Sequence, residues 1–369
     1  MNMIRINTHC FTSQRLLLTA VIIMMALSGG DARNNKKEQS LYAVGYKVID
    51  IDYQKNGHAQ TLTVAVWYPT AEQPSSHHYG GPTRGNVAVN AEPLDRDRAC
   101  PFLLFSHGFG GSGIAAVFLT EKLAARGWIV AAPDHHDSHS AVRIHKGMNK
   151  FDRRGFFKAA KAIGSSSPQE RQQYLYRLDE MQLALDGMLK HALFGRYIDA
   201  EKIAVGGHSF GGFTAMGLCG TIAERHDERI RAVLLYSTGA AGYLYTEEEL
   251  QDVEIPSMLF MGERERKQKR GDKTMAELSD KIYSSLAVPK YFAEVRGGTH
   301  LSFNNRFSNR PGARLMSGNE KQYAVIRTYS IAFLHKYVDD DHNADKVLQQ
   351  NHAMLTRYVK ETKSDQMER

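Results

Sequence analysis

The stretch Lys202-Ile-Ala-Val-Gly-Gly-His-Ser-Phe-Gly-Gly212 decides the fold of this chain. Its apolar half predicts a strand, and the residues after Gly212 predict a helix. Between them, Ser209 is flanked by Gly207 and Gly211, which fits the pattern G-x-S-x-G. That pattern between a strand and a helix is typical of a sharp turn that presents a nucleophilic serine. We therefore predict that Ser209 is a nucleophile; the alternative is a glycine-rich turn whose serine only caps the helix.

Further short apolar runs lie on both sides of this stretch, and segments with helical spacing separate them. Strands covered on both faces need such runs, and their alternation with helices predicts a mostly parallel sheet. Before them, residues 41–52 and 61–68 alternate apolar and polar residues around Asn56-Gly57, which predicts an antiparallel hairpin. Residues 70–98 are predicted as a loop. The expected fold is therefore α/β, a mostly parallel sheet flanked by helices with antiparallel N-terminal strands, as in the α/β-hydrolase fold. The buried runs are Phe102–Phe105, Ile129–Ala132, Ile203–Val205, Ile230–Tyr236, Ser257–Met261 and Tyr291–Val295.

A general base and an acid are expected after later strands, because this fold carries them in the order serine, acid, histidine. His300 follows the last predicted strand, and an imidazole is suited to accept the serine proton near neutral pH. The turn after the preceding strand contains two carboxylates, Glu263 and Glu265. We predict Glu265 as the acid and keep Glu263 as the alternative.

Two backbone N–H groups are predicted to stabilise an oxyanion. One belongs to Phe210, which directly follows the nucleophile, and the other to Phe109 in the loop Ser106-His-Gly-Phe-Gly-Gly111 after an earlier strand. No cofactor or metal is predicted for this chemistry. The cluster Asp134-His-His-Asp-Ser-His139 has residue types that suit zinc, but we interpret it as residues that line the pocket or support the site.

The 369 residues carry a formal net charge of +7 and a composition typical of globular proteins. Residues 1–28 resemble a signal peptide, with an uncleaved membrane anchor as the alternative. Residues 29–40 are predicted as a flexible lead-in, and residues 41–340 as the hydrolase domain with a basic, lid-like insertion at about 138–175. Residues 341–369 are predicted as a charged tail or helix. The expected location is secreted or periplasmic.

Basic residues concentrate at 143–161 and 264–273, after predicted strands and therefore on the side of the predicted site. They suggest either a solvated surface or attraction to an anionic membrane surface or substrate. Nucleic acid is not an expected partner, because no binding motif or aromatic platform accompanies the charge. Cys100 and Cys219 would remain after signal cleavage, either as a disulfide or as two buried free thiols.

The blocks at these positions resemble the secreted platelet-activating-factor acetylhydrolases and their bacterial relatives, described as predicted dienelactone hydrolases. The resemblance implies Ser209 as nucleophile, His300 as base, and Phe109 and Phe210 as oxyanion donors. Eukaryotic members carry the acid at the end of the strand after the elbow helix, where this chain has Tyr236. Bacterial relatives carry it one strand later, where Glu265 falls. The blocks comprise residues 62–69, 101–108, 127–132, 199–205, 207–212 and 295–300.

The expected function is a serine esterase that hydrolyses carboxylic esters through an acyl-enzyme. By resemblance, its substrate would be a short-acyl phospholipid. A general carboxylesterase or polyesterase that acts on other small-molecule esters is the second hypothesis. A third is a catalytically disabled homologue that binds a lipid or a partner, which the missing Asp at Tyr236 would favour.

Overall fold

A computed structural model describes residues 41–140, 142–145, 147–148, 152–308 and 316–363. The predicted signal peptide and lead-in lie outside these residues. The strands are β1 Ala43–Lys55, β2 His58–Thr70, β3 Ser75–Gly80, β4 Thr83–Val89, β5 Cys100–Ser106, β6 Ile129–Pro133, β7 Val142–Arg143, β8 Gly147–Met148, β9 Ile198–His208, β10 Ile230–Tyr236, β11 Ser257–Gly262, β12 Lys269–Arg270, β13 Lys273–Thr274, β14 Lys290–Val295 and β15 Leu355–Glu361.

Helices alternate with these strands over most of the chain. Within the described residues, no helix is long and apolar enough to cross a membrane. The helices are α1 Val117–Ala124, α2 Arg153–Gly164, α3 Tyr176–Lys190, α4 Phe210–Met216, α5 Gly239–Leu244, α6 Glu247–Gln251, α7 Met275–Ser285, α8 Glu320–Tyr337 and α9 Asp345–Leu348.

The main sheet has the strand order β15-β14-β11-β10-β9-β5-β6-β2-β1-β4-β3. The six strands from β14 to β6 run parallel, and β2 and β15 join them antiparallel on either side. The predicted hairpin of β1 and β2 is present, and its turn residues Asn56 and Gly57 have φ of 52° and 78°, as a hairpin turn with a left-handed backbone requires. The α/β-hydrolase fold predicted from the sequence is confirmed.

Two apolar cores cover the two faces of the sheet. Helices α3 to α7 pack on one face, where Leu178 and Met181 are fully buried, and helices α1 and α8 pack on the other, where Phe333 is fully buried. Every residue of β5, β6 and β11 is buried, because helices cover both sides of these strands. Each fully buried side chain of the size of Leu or Phe contributes about 1.5–3 kcal/mol, so the two cores hold the strand ends in place.

Two segments contain strands that the sequence did not predict. The predicted loop at 70–98 contains the hairpin of β3 and β4, whose Tyr79 is buried and donates a hydrogen bond to Glu121 of α1. The predicted charged tail or helix at 341–369 contains helix α9 and, in addition, strand β15, which pairs with β14 along Leu355–Glu361. Both segments are polar because they lie at the margins of the sheet, where one side of a strand faces solvent and charged residues are common. Their composition therefore concealed them.

Of the two alternatives for Cys100 and Cys219, the structure has the two free thiols: both cysteines are buried, and no disulfide joins them. Cys100 begins β5, where its sulfur accepts a hydrogen bond from Arg96 at 3.4 Å. The thiol of Cys219 lies in the helical segment after α4 and donates to the carbonyl oxygen of Ala215 at 3.1 Å. Burial raises the pKa of both thiols, so both are held in the protonated, unreactive form.

Candidate active site

Ser209 lies at the turn between β9 and α4, at the carboxyl edge of the parallel strands. Its backbone has φ 55° and ψ −117°, a conformation that residues other than glycine rarely adopt. A Cβ atom at Gly207 would overlap the carbonyl oxygen of Gly211. A Cβ atom at Gly211 would overlap the carbonyl oxygen of Ser106. The two elbow glycines are therefore needed for close packing of the turn, which presents the serine hydroxyl above the sheet edge.

His300 begins a short 3-10 turn, His300–Phe303, that follows β14. Its Nε2 lies 2.8 Å from Oγ of Ser209, although 91 residues separate them in the chain. The side chain is 21 % exposed, so the imidazole faces the surface of the site while its other nitrogen faces the interior. The structure thus brings the predicted base into hydrogen-bond contact with the predicted nucleophile.

Glu265 ends the 3-10 turn Glu263–Glu265 after β11, and its side chain is fully buried. Its Oε2 lies 3.1 Å from Nδ1 of His300, and its Oε1 accepts the backbone N–H of Gly262 at 2.6 Å. Glu263 points elsewhere, since its Oε2 accepts the backbone N–H of Gly297 at 2.6 Å. Of the two candidate acids, the structure places Glu265 at the imidazole.

Ser237 is a member of this cluster that sequence reasoning missed. It directly follows β10, the strand beside β9, and its hydroxyl lies 2.6 Å from Oε2 of Glu265 and 2.6 Å from Nδ1 of His300. Tyr236, the position that the resemblance implied for the acid of eukaryotic members, points away and bonds Ser330 of α8 at 2.7 Å. The residue one position further along the chain is therefore the one that reaches the imidazole. Its place at a strand end beside the nucleophile strand could have revealed it.

The two predicted oxyanion donors lie in segments that pack close to Ser209. Phe210 is the first residue of α4, where a backbone N–H has no acceptor within the helix. Phe109 lies in the loop after β5, and its ring packs edge-to-face on that of Phe210 with centroids 6.3 Å apart. A Cβ atom at Gly108 would lie 3.2 Å from Cβ of Ser209, so this loop runs directly against the nucleophile.

The cluster at 134–139 supports that loop through buried hydrogen bonds. His135 bonds Oγ of Ser106 at 2.8 Å through Nε2 and Glu180 of α3 at 2.8 Å through Nδ1, and all three side chains are buried. Burial lowers the pKa of His135 well below its ordinary value, and Arg177 adds to the shift. The ring is therefore neutral, and it ties β5 and β6 to α3. Within the described residues, no group of three His, Cys, Asp or Glu side chains has the arrangement of a metal site.

Arg177 of α3 is a second support that the sequence did not reveal. Its fully buried guanidinium pairs with Asp137 at 3.1 Å, donates to the carbonyl oxygen of His107, and lies 5.0 Å from the ring centroid of Phe210. Asp137 also accepts the backbone N–H of Gly110 at 3.1 Å. One buried ion pair thus holds the loop on both sides of Phe109.

His208, the residue before the nucleophile, is also buried and neutral. Its Nε2 donates to the carbonyl oxygen of His300 at 2.7 Å, so the ring fixes the backbone of the base. Burial lowers the pKa of His208 to about 3, and the neighbouring His300 adds to the shift. This residue therefore stays uncharged beside His300 throughout the neutral pH range.

Aromatic rings and a basic helix lie beside Ser209. Phe156 of α2 stacks on Phe109 with centroids 5.5 Å apart, and Tyr174 packs edge-to-face on Phe210 at 5.1 Å. Phe157, which follows Phe156 in α2, is 56 % exposed. Four exposed basic side chains share this helix with it: Arg153, Arg154, Lys158 and Lys161.

Fold and site together define the class of protein, an α/β-hydrolase. In its site, a serine at a strand-to-helix turn contacts a histidine, and that histidine contacts a buried carboxylate. The family model described as PET hydrolase-like matches residues 74–366, which is most of the chain. The chain therefore belongs to the PET hydrolase-like family.

Two relatives show how far the similarity extends. The chain is 28% identical over 295 residues to a platelet-activating factor acetylhydrolase from Cavia porcellus, a match that covers 71% of this chain and 64% of that protein. Its fold is similar to that of a ferulic acid esterase from Streptomyces cinnamoneus, with a TM-score of 0.60 and 20% identity over 88% of this chain and 94% of the other. The family match shows that the chain is PET hydrolase-like, and the structural match shows its fold.

Proposed function

We propose that this protein is a serine esterase in which Ser209, His300 and Glu265 form the catalytic triad. One observation carries the proposal: an unbroken hydrogen-bonded chain runs from Oγ of Ser209 through both nitrogens of His300 to Oε2 of Glu265. Its members come from three separate strand ends, and the nucleophile occupies a strained elbow. Nothing in the packing of the sheet alone requires that arrangement, whereas ester hydrolysis does.

The proposed reaction begins when Oγ of Ser209 attacks the carbonyl carbon of the ester. The serine proton passes to Nε2 of His300, while the proton on Nδ1 stays in its hydrogen bonds to the buried side. The N–H groups of Phe109 and Phe210 receive the charge that develops on the carbonyl oxygen. His300 then gives its proton to the leaving alcohol, and water hydrolyses the acyl-enzyme by the same sequence of steps.

The hypothesis of a disabled homologue rested on the missing Asp at Tyr236. The position of Glu265 argues against it, because a buried carboxylate already lies 3.1 Å from Nδ1 of His300. Glutamate is one methylene longer than aspartate, and the 3-10 turn at the end of β11 brings that longer side chain back to the imidazole.

For the substrate class we favour short-acyl phospholipids. The identity to an acetylhydrolase supports this choice, and so does helix α2, which presents an exposed phenylalanine among four basic residues beside the site. A helix with apolar and basic side chains on its exposed surface suits an anionic lipid interface. The second candidate is a polyesterase or general carboxylesterase, which the family match and the aromatic rings around Ser209 favour.

We also propose that the protein is secreted or periplasmic. The support is the order of basic, apolar and small residues in positions 1–30, which is typical of a signal peptide. N-terminal sequencing of the mature protein tests this proposal, since cleavage near residue 28 is the expected result and an intact N-terminus would contradict it.

A substrate panel tests the choice between the two classes. It contains a short-acyl and a long-acyl phosphatidylcholine, a terephthalate diester and p-nitrophenyl esters. If short-acyl phospholipids are the substrates, we expect the highest kcat/KM on the short-acyl phosphatidylcholine. Turnover of the terephthalate or p-nitrophenyl esters without turnover of phospholipid would favour the second candidate.

Charge reversal on α2 tests the lipid interface. Lys158→Glu should lower turnover on anionic vesicles severalfold at low salt and leave turnover of a soluble p-nitrophenyl ester unchanged, because vesicle attraction is electrostatic. Lys122→Glu is the matched control, since it makes the same charge change at an exposed position of α1. Equal losses in both variants, or no effect of added salt on the wild type, would contradict the interface.

A further inference from the structure

Ser237 lies on the interior side of the His300 imidazole, where its hydroxyl contacts both the imidazole and the carboxylate of Glu265. The hydroxyl donates to Oε2 of Glu265 at 2.6 Å, and its oxygen lies 2.6 Å from Nδ1 of His300. The carboxylate oxygen itself lies farther from that nitrogen, at 3.1 Å. The nearer acceptor for the Nδ1 proton is therefore the serine hydroxyl.

The direction of each hydrogen bond follows from the chemistry of the groups. An ionised carboxylate only accepts, so the single hydroxyl proton of Ser237 goes to Glu265. The lone pairs of the hydroxyl oxygen then face Nδ1–H of His300, which donates to Ser237 and to Glu265 together. This arrangement fixes the tautomer in which Nε2 is free to take the proton of Ser209.

The backbone holds Ser237 in this position at a cost. Its φ is 49°, in the left-handed region that residues other than glycine, asparagine and aspartate seldom occupy, and its side chain is fully buried. Its N–H donates to the carbonyl oxygen of Phe260 at 2.7 Å, which ties it to the end of β11. The next residue, Thr238, donates through its hydroxyl to the carbonyl oxygen of Ser209 at 3.0 Å. One turn after β10 thus contacts both the nucleophile and the base.

We propose that Ser237 is a positioning residue of the triad: its hydroxyl links Glu265 to His300, and part of the effect of the carboxylate on the imidazole passes through it. This inference rests on the proposed function, since it needs a reaction in which His300 takes the proton of Ser209. Hydrogen bonds to charged groups are the strong ones, and the loss of such a bond corresponds to about a tenfold to hundredfold change in rate.

Two substitutions at Ser237 distinguish the effect of the hydroxyl on the rate from the effect of the strained backbone. Ser237→Ala and Ser237→Gly both remove the hydroxyl, but only glycine also relieves the left-handed backbone. We expect both variants to lose kcat about tenfold to a hundredfold on a p-nitrophenyl ester, with KM within about threefold of the wild type and with similar losses in the two variants. The rate of labelling of Ser209 by a fluorophosphonate should fall in parallel.

Ser330→Ala is the matched control. It removes another buried serine hydroxyl, the one bonded to Tyr236, at a site that does not contact the imidazole. We expect this variant to keep kcat within about threefold even though thermal denaturation shows a loss of stability of the kind that any buried hydroxyl can cause.

The outcomes separate this inference from the proposed function. If the wild type is neither labelled at Ser209 nor active on any ester of the panel, both are wrong. If the wild type is active and both Ser237 variants keep kcat within threefold, only the role of Ser237 is overturned. A slow Ser237→Ala with a fast Ser237→Gly would also overturn it, because the loss would then follow backbone strain and not the hydroxyl.

Discussion

Glu265→Gln keeps the size of a fully buried side chain and removes its charge. In the wild type the carboxylate accepts three hydrogen bonds, from the backbone N–H of Gly262, the hydroxyl of Ser237 and Nδ1 of His300. A glutamine has one oxygen that accepts and one NH₂ group that only donates. One of the three donors must therefore face another donor, or the imidazole must adopt the tautomer with its proton on Nε2. If the NH₂ group faces Nδ1, the imidazole no longer presents a free Nε2 to Ser209; if it faces Gly262, the imidazole keeps its partner but loses the negative charge that stabilises its cation.

The expected magnitude follows from the loss of the acid's charge and orientation. Removing the charge of a triad acid while keeping its shape lowers kcat by about four orders of magnitude in the best-studied serine hydrolase, a value we take as the upper bound. Here Ser237 still bonds Nδ1, so we expect a loss of about 10³ in kcat, or about 4 kcal/mol. KM should change less than about threefold, because Glu265 is fully buried behind the imidazole of His300.

Steady-state kinetics on a p-nitrophenyl ester measures this effect, with Glu263→Gln as the matched control. Glu263 lies in the same turn and bonds the backbone of Gly297 instead of the imidazole. We expect Glu263→Gln to keep more than about a third of the wild-type kcat. A Glu265→Gln variant with more than a tenth of the wild-type kcat, or equal losses in the two variants, would refute the assignment of the acid.

Two further predictions concern the buried groups that support the site. Arg177→Met leaves the carboxylate of Asp137 buried without its partner, so the free energy of unfolding should fall by about 3–5 kcal/mol in urea denaturation. The value of kcat should also fall, because the loop that contains Phe109 loses its support. Unchanged stability would contradict the structural role of the pair. Burial lowers the pKa of His107 to about 4 and that of His208 to about 3, below the value of about 6.5 expected in the unfolded chain. The unfolded chain therefore binds protons that the folded chain does not, so the stability is fully present above pH 6.5 and is lost as the pH falls toward 4. His208→Gln should reduce this pH slope by up to about 1.4 kcal/mol per pH unit, measured by urea denaturation between pH 6.5 and 4.5, and an unchanged slope would show that His208 is not the neutral, buried group described above.

The central strands and the elbow were predictable because their sequence signals are local. Continuous apolar runs identify β5, β6 and β9 as strands covered on both faces. The glycines on either side of Ser209 indicate a tight turn, because a Cβ atom at either position would overlap the backbone. His300 was predictable from its place after the last parallel strand. These signals need only the identity of neighbouring residues in the chain.

The remaining parts of the site depend on contacts between distant segments. The choice between Glu263 and Glu265 depends on the direction of two side chains within one 3-10 turn, which spacing alone does not determine. Ser237 and Arg177 carry no motif, since their importance arises from the strand order that places β10 beside β9 and from the packing of α3 against the loop after β5. Strand β15 was missed for a related reason, because an edge strand with charged residues resembles a tail.

Covalent labelling of the purified protein by a fluorophosphonate, read by intact mass and by peptide mapping, tests directly whether Ser209 is the nucleophile. We predict one adduct per chain, on the peptide that contains Ser209, with loss of esterase activity in proportion to labelling. Ser209→Ala should abolish both the adduct and the turnover of p-nitrophenyl esters. Esterase activity retained by Ser209→Ala, or an adduct on another serine that accounts for the inhibition, would contradict the claim that Ser209 is the nucleophile.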